Sequence, residues 1–446
     1  MSQTPQEQTT EVQDQGVGES IVPTAEPNDP TVVESADARR QRLSVGVLVA
    51  LVGLGLVYLL TSTTGAAKFA LSDAFDELQL PTITVPGVPT VTICAVLCLI
   101  AGAAYLSGRV PRRLLGLAGA VAGAAVVIGF LTWAAAGRDL PFPVSNQLAG
   151  TLTVATPLIL GALCGVLCER AGVVNVSIEG QFLAAAFTAA VVGSVTQSVP
   201  LALVSAAIAG AVMGALLALF ALKYVVNQVV LGVVLNLLAS GLTGFIFDQL
   251  VQPRSSDLNS APLMQPIAIP GLAQIPFFGR IFFQQTILAY LAGILVVVVW
   301  FVLFHTPWGL RVRAVGEHPQ AADTVGIRVN GIRWSAVIVG GMIAGLGGAF
   351  FTIGSTGSFV KDLTVGNGFI ALAALIMGRW HPVWAAVMAL FFGFVTQMAS
   401  QMQTLSTPVP SQFLLLLPYV ATIIAVAGLV GRVRAPAADG IPYEKA

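Results

Sequence analysis

Apolar runs of about twenty residues recur along the whole chain, each long enough to cross a hydrocarbon core as a helix. Only 9% of the 446 residues are charged and 56% are hydrophobic, whereas a soluble domain carries about 25% charged residues. Strict alternation over ten-residue segments, the mark of a membrane β-barrel, is absent. The expected fold class is therefore all-α: a polytopic helical membrane protein with about ten to twelve transmembrane helices, some short and broken or re-entrant. Net charge is zero, so no bulk attraction to nucleic acid is implied.

Arginines orient the spans by the positive-inside rule. Residues 1–42 begin with a polar, acidic stretch that reads as a disordered cytoplasmic tail, without the basic start and apolar centre of a signal peptide. Arg39, Arg40 and Arg42 anchor it inside, before a first span at 43–62. Asp73, Asp76 and Glu77 then lie outside, and Arg109, Arg112 and Arg113 inside, between spans 90–106 and 114–135. The N-terminal helices thus occupy 43–147. A larger membrane domain, 148–430, holds spans at 148–168, 176–195, 200–222, 226–247, 285–304, 335–354, 383–400 and 412–430. A Pro- and Gly-rich external segment, 248–284, reads as a folded loop with short helix at most. The run 368–377 is too short for a full crossing and reads as a broken or re-entrant helix. Residues 431–446 form a cytoplasmic C-terminal tail with Arg432 and Arg434. Blocks 148–248 and 335–430 each hold four apolar segments and enter the membrane from opposite sides, as inverted repeats do. Gly340, Gly341, Gly345, Gly347 and Gly348 suit close helix packing, and packing alone suffices to explain them.

Between two apolar spans lies the polar cytoplasmic run 306–334, with Arg311, Arg313, Arg328 and Arg333. Its stretch 317–326 alternates small residues with charges, which suits a short surface helix against which another protein packs closely. Pro319 fits the first turn of that helix. The plainer alternative is a solvated connecting loop. A second polar cluster, Asn175, Ser177, Glu179 and Gln181, is bracketed by Gly172 and Gly180 and reads as a break between helices. Either Asn175 and Ser177 cap the next helix with Glu179 at its dipole, or they line a pathway. Asn227, Gln228 and Asn236 fall in the 226–247 span; Asn236 ties two helices together or hydrogen-bonds a neutral solute. Lys361, Asp362 and Asn367 precede the short helix at its outer mouth.

Several chemistries are missing. No lysine follows a glycine, so no G-x-x-x-x-G-K-[ST] phosphate loop exists and this chain does not hydrolyse ATP by that route. His305, His318 and His381 sit apart at cytoplasmic ends, so neither a metal site nor a His-based triad is indicated. The cysteines form two i, i+4 pairs, Cys94/Cys98 and Cys164/Cys168, which read as small-hydrophobe packing. Nothing has the look of an enzyme.

Four segments, ERAGVVNVSIEGQFLAAAF (169–187), VNQVVLGVVLNLLASGLTGFI (226–246), GLRVRAVGEHPQAADTVGI (309–327) and LTVGNGFIALAALIMGRWHPV (363–383), resemble permease subunits of bacterial ABC importers. The group is that of branched-chain amino acid, ribose-type sugar and nucleoside permeases, and the second and fourth segments together look most like its nucleoside or simple-sugar branch. The resemblance spans about 148–430. It implies that Gly316, Glu317, Ala321, Ala322, Asp323 and Gly326 belong to a coupling helix that docks in a cytoplasmic ATPase. It also implies a second, homologous permease chain and an extracellular substrate-binding lipoprotein. The chain itself holds no cofactor; ATP and Mg belong to the partner ATPase. The implied function is uptake of nucleosides or related sugars across the plasma membrane, with Asn175, Ser177, Glu179, Asn227, Asn236 and Asn367 as candidates for the translocation pathway.

The alternative from another class is a secondary transporter of a small polar solute driven by an ion gradient. That reading needs a buried carboxylate at mid-membrane, whereas Glu169 and Glu179 are expected near the cytoplasmic boundary. A channel or structural subunit leaves the 306–334 run unexplained.

Overall fold

The computed structural model describes residues 36–72, 79–405, 410–424 and 434–445. Most of the expected acidic tail, and Asp73, Asp76, Glu77 and Arg432, lie outside the described residues. Helices α1 (Ala36–Leu59), α2 (Gly87–Ser107) and α3 (Arg112–Ala135) come first. They are followed by α4 (Val144–Arg170), α5 (Ile178–Thr196), α6 (Val199–Ala218) and α7 (Gln228–Ile246). Helix α7 runs on through a π-helical turn (Phe247–Val251) and a 3-10 turn (Gln252–Arg254) into α8 (Ser255–Leu258), so the 248–284 segment begins with more helix than expected, and it later carries the short α9 (Phe278–Phe282). Then come α10 (Ile287–His305), α11 (Pro307–Glu317), α12 (Pro319–Thr324), α13 (Val329–Phe350), α14 (Asn367–Met377), α15 (Pro382–Thr404) and α16 (Ser411–Ile424). Among the described residues, ten helices are long and apolar enough to cross a membrane, and α14 is a shorter apolar helix. This is a multi-pass, all-α membrane protein.

Sequence reading did not foresee a small sheet joining the first connections. Strand β1 (Ala66–Ala70) pairs antiparallel with β2 (Ile83–Pro86) and parallel with β3 (Phe142–Pro143). Its Ala67 and Phe142 are fully buried, and Phe69 meets Phe142 edge-on at 6.2 Å. Once the chain has left the helices, these backbone groups need partners, and a short ladder supplies them.

The two central helices are α4 and α13. They run antiparallel: Gly340 packs on Cys164 and Cys168, and Gly347 packs on Leu160. Helix α13 also lies against α5 and α6, while α4 lies against α14 and α15. Exchanging α4 with α13, α5 with α14 and α6 with α15 reproduces the same set of neighbours, including α5 with α6 and α14 with α15. That packing, around two antiparallel central helices, is what an inverted repeat produces. Glycine permits the closest contact. A Cβ on Gly210 of α6 would run into the Gly341 carbonyl, and one on Gly345 into the Ala206 carbonyl. Two backbones in touch gain dispersion along their length, which matters where lipid gives no hydrophobic drive for association.

Candidate functional site

Both halves of this arrangement contain a break. Helix α4 ends at Arg170 and is closed by Gly172, whose left-handed backbone (φ +83°) suits glycine. Its N–H donates to Glu169 O at 2.9 Å and that of Val173 to Cys168 O at 3.0 Å, closing the last turn. The chain then doubles back along α4 without helical bonds of its own. Buried side chains satisfy it instead. Val174 N donates to Gln228 Oε1 at 2.7 Å. Asn175 Oδ1 accepts from Ser177 N at 3.1 Å and Ser177 Oγ at 2.7 Å, while its Nδ2 donates to Cys164 Sγ at 3.2 Å. Asn236 of α7 clips the far end: its Nδ2 donates to Val176 O at 3.0 Å and its Oδ1 accepts from Gly180 N at 2.8 Å.

The second break follows α13. Residues 357–366 run without regular structure, and within them Phe359 is bonded to Asn259 at both its N–H and its carbonyl. Gly366 (φ +77°) then opens α14. An eleven-residue helix covers only about 16 Å, half of a hydrocarbon core. Just past its other end, Trp380 returns to the end of α4: Trp380 Nε1 donates to Glu169, and Arg170 Nε donates to Trp380 O at 2.9 Å.

The two breaks meet. Glu179, in the first turn of α5, accepts from Thr364 Oγ1 at 2.5 Å, Gly366 N at 2.8 Å and Gly368 N at 2.6 Å. The carboxylate therefore caps α14, where free N–H groups and the helix dipole favour negative charge. Gly368 is packed so tightly on the Glu179 backbone that a Cβ there would overlap it. Depth follows from the neighbours: Ile178 and Ala371 flank Gly161 of α4, nine residues or about 13 Å from the Arg170 end. The expectation that Glu179 lies near the cytoplasmic boundary is thus corrected. Because residues 173–177 climb back along α4, Glu179 stands near the middle of the helical layer.

The sequence-predicted candidates separate accordingly. Asn175 and Ser177 are fully buried and bonded to each other. Asn236 holds α7 to the first break. Asn227 is the exposed N-cap of α7, accepting from Val229 N and Val230 N at 3.1 Å. Asn367 donates to Thr364 O at 2.8 Å within the cap of α14. Only Glu179 unites the two breaks. Its partners Thr364, Gly366 and Gly368 were missed, although the Gly-Asn-Gly run at 366–368 was a signal for close backbone approach.

At the Arg-rich end, α11 and α12 form the 306–334 element. Thr306 Oγ1 caps α11 by accepting from Gly309 N at 3.2 Å, and Pro319 lies in the first turn of α12 as expected. Gly316 is pressed against the Arg170 carbonyl, where a Cβ would collide. Ala322 is 4% exposed and packs with Val315 and Val329. Both small residues therefore serve contacts inside the chain. Glu317, Ala321, Val325 and Gly326 face outward, and Asp323 is half-buried. Residues 434–445, expected as a tail, lie against this element. Burial pushes the Asp439 carboxyl up to about 7, against the opposing pull of Arg333 and the Gly440 N–H.

The four cysteines are free and buried, and among the described residues no group of three or more His, Cys, Asp or Glu side chains could hold a metal ion. The family described as "Branched-chain amino acid transport system / permease component" matches residues 147–427. The chain is 41% identical over 316 residues to the guanosine ABC transporter permease protein NupQ of Bacillus subtilis, covering 69% of this chain and 99% of that protein. It is 39% identical to the nucleoside ABC transporter permease protein NupC of Lactococcus lactis, over 67% of this chain and 96% of the relative. A putative glucose ABC transporter permease protein of Haloferax volcanii is 34% identical, over 59% and 79% respectively. No solved structure matches the chain.

Proposed function

Since the chain belongs to the family of branched-chain amino acid transport system permease components, we propose that it carries nucleosides or related simple sugars inward as the permease subunit of an ABC importer. The observation that carries this reading is identity of 41% and 39% along nearly the full length of two relatives named for guanosine and nucleoside transport. The chain is a transport subunit, not an enzyme, and its energy comes from ATP and Mg held by a separate cytoplasmic ATPase. A second, homologous permease completes the pore, and an extracellular lipoprotein delivers the solute. Both termini and the 306–334 element face the cytoplasm, in keeping with Arg170, Arg311, Arg313, Arg328 and Arg379 gathering at one end.

In this reading the ATPase meets the outward face of α11–α12, chiefly Glu317, Ala321 and Val325, which is 74% exposed. Gly316 transmits the push, because it rests on the last carbonyl of α4. Rocking of α4 against α13 then reaches the junction of Glu179 with α14. The polar groups of the breaks are mostly bonded to each other, which suits a low-affinity passage with selectivity supplied by the binding protein.

The mid-layer carboxylate keeps the secondary transporter in view, since an intramembrane acid is what ion coupling needs. Glu179, however, has both oxygens committed to the cap of α14. Co-purification from native membranes decides between the two. Recovery of an ATPase, a second permease and a lipoprotein, with ATP-dependent guanosine uptake by the reconstituted complex, is expected. Uptake driven by an ion gradient, from this chain alone, would refute the importer. Within the complex, Glu317→Arg with Ala321→Trp should cut uptake at least tenfold; a doubly substituted chain that transports normally would show that the face does not dock.

A further inference from the structure

The C-terminal segment 434–445 is more than a trailing tail. Its turn presses into the angle between three elements. Ala438, 4% exposed, donates its N–H to Gly316 O at 2.8 Å, and its own carbonyl stands 3.0 Å from where a Cβ on Gly172 would be. Ala437 N donates to Glu317 Oε2 at 3.2 Å. On the far side, Arg333 of α13, which is fully buried, donates from Nη1 to Ile441 O at 3.0 Å. Tyr443 then packs on the cluster of Val315, Ala322 and Val329, beside the Asp323 carboxylate. Lys445 lies 3.8 Å from the same carboxylate. Gly440 touches Val174, so the segment also abuts the climbing chain of the first break.

We propose that residues 434–445 are a strap that completes the coupling element, holding α11–α12 in register on the α4–α5 corner and on the start of α13. The inference rests on the importer reading and deepens it. Without the strap, α11 rests on α10 through Gly309, on α13 through Trp308 and Ser335 and on the end of α4 through Gly316, whereas α12 is held by the packing of Ala322 on Val315 and Val329. With it, the element is fastened at Gly316, Glu317, Ala322 and Asp323 to Gly172, Val174 and Arg333. A push on α12 is thereby shared with the chain that leads to Asn175 and Glu179. Most fastenings are made by backbone atoms, so the strap needs close apposition more than particular side chains. Small residues at 435, 437, 438 and 440 supply it.

The test uses the complete transporter, reconstituted with its ATPase and assayed with tritiated guanosine and ATP. Three variants are compared: deletion of 434–446, Ala438→Trp in the full chain, and Lys445→Ala. Deletion and Ala438→Trp are expected to keep the ATPase bound and hydrolysing within threefold of the parent rate, while guanosine moved per ATP falls at least tenfold. Lys445→Ala, at an exposed and loose ion pair, should leave that ratio unchanged. If either disrupting variant moves guanosine per ATP as the parent does, the strap has no part in coupling. If the ATPase is lost from both, the segment is a docking surface and not a strap, and the inference is likewise overturned. Should the deleted chain fail to accumulate, Ala438→Trp decides alone. A parent complex that lacks an ATPase, or takes up guanosine without ATP, would instead sink the importer reading itself.

Discussion

Replacing Glu179 with alanine removes one carboxylate and orphans three donors at the mouth of α14: Thr364 Oγ1, Gly366 N and Gly368 N. Hydrogen bonds to a charged acceptor contribute about 1.5–3 kcal/mol each. Glu179 is only half-buried, so water partly replaces it, and about 1 kcal/mol per bond is the safer figure. The sum, about 3 kcal/mol, corresponds to roughly a 150-fold increase in local opening. Amide exchange resolved to single residues, on protein in lipid nanodiscs, reads that opening directly. Gly366 and Gly368 should exchange roughly a hundredfold faster in Glu179→Ala, while amides in the middle of α4 keep their parent rates. Glu179→Gln gives a sharper pattern. Its remaining carbonyl oxygen keeps the position that serves Thr364 and Gly366, whereas the amide nitrogen turns a donor toward Gly368. Gly368 should then exchange about tenfold faster, with Gly366 little changed. If both glycines in Glu179→Ala exchange within threefold of the parent, the carboxylate does not hold the half-helix, and the meeting of the two breaks has no mechanical meaning.

Asn236→Leu leaves Gly180 N and Val176 O without partners, a cost of about 2–3 kcal/mol; its thermal midpoint in detergent should fall, and an unchanged midpoint would show that water fills the role. The strap should respond to pH through Asp439, whose carboxyl is raised to about 7 by burial against an ordinary value of 3.8. The docked state binds the extra proton, so docking is strongest in acid, weakens as pH rises from about 4 to about 7, and is level above that. Arg333 of α13 and Glu169 of α4 face the carboxyl, the first favouring its charge and the second opposing it. Protease cleavage within 434–445 should therefore quicken between pH 5.5 and 7.5 and lose most of that dependence in Asp439→Asn; a pH-independent rate in the parent would overturn the assignment.

What could be read from the sequence follows from what kind of force made each feature. The spans were legible because lipid demands length and apolarity, properties of consecutive residues, and α14 was legible because its run is apolar yet too short to cross. The break at 172–177 was visible as polar residues between glycines, yet its depth was not. Whether a stretch leaving a helix continues onward or turns back beside it depends on packing against α4 and α7, which no local pattern encodes. That single reversal moves Glu179 from the boundary to the middle and gives it α14 as its partner. Asn236 lies in an apolar run, and which backbone groups it bonds, Gly180 N and Val176 O, depends on how α7 packs on the first break. The 306–334 element was visible by its charges, but the inward use of its small residues was not: Gly316 and Ala322 look free to admit a partner until α4 and α13 are found to occupy them. The strap was least legible of all. Its bonds run from Ala438 N to Gly316 O and from Arg333 to Ile441 O, and a backbone carbonyl or N–H is present at every residue, so composition carries no trace of which ones will be used. Charge told where Arg333 sits along the chain, and only the fold tells that it is buried beneath residues more than a hundred positions away.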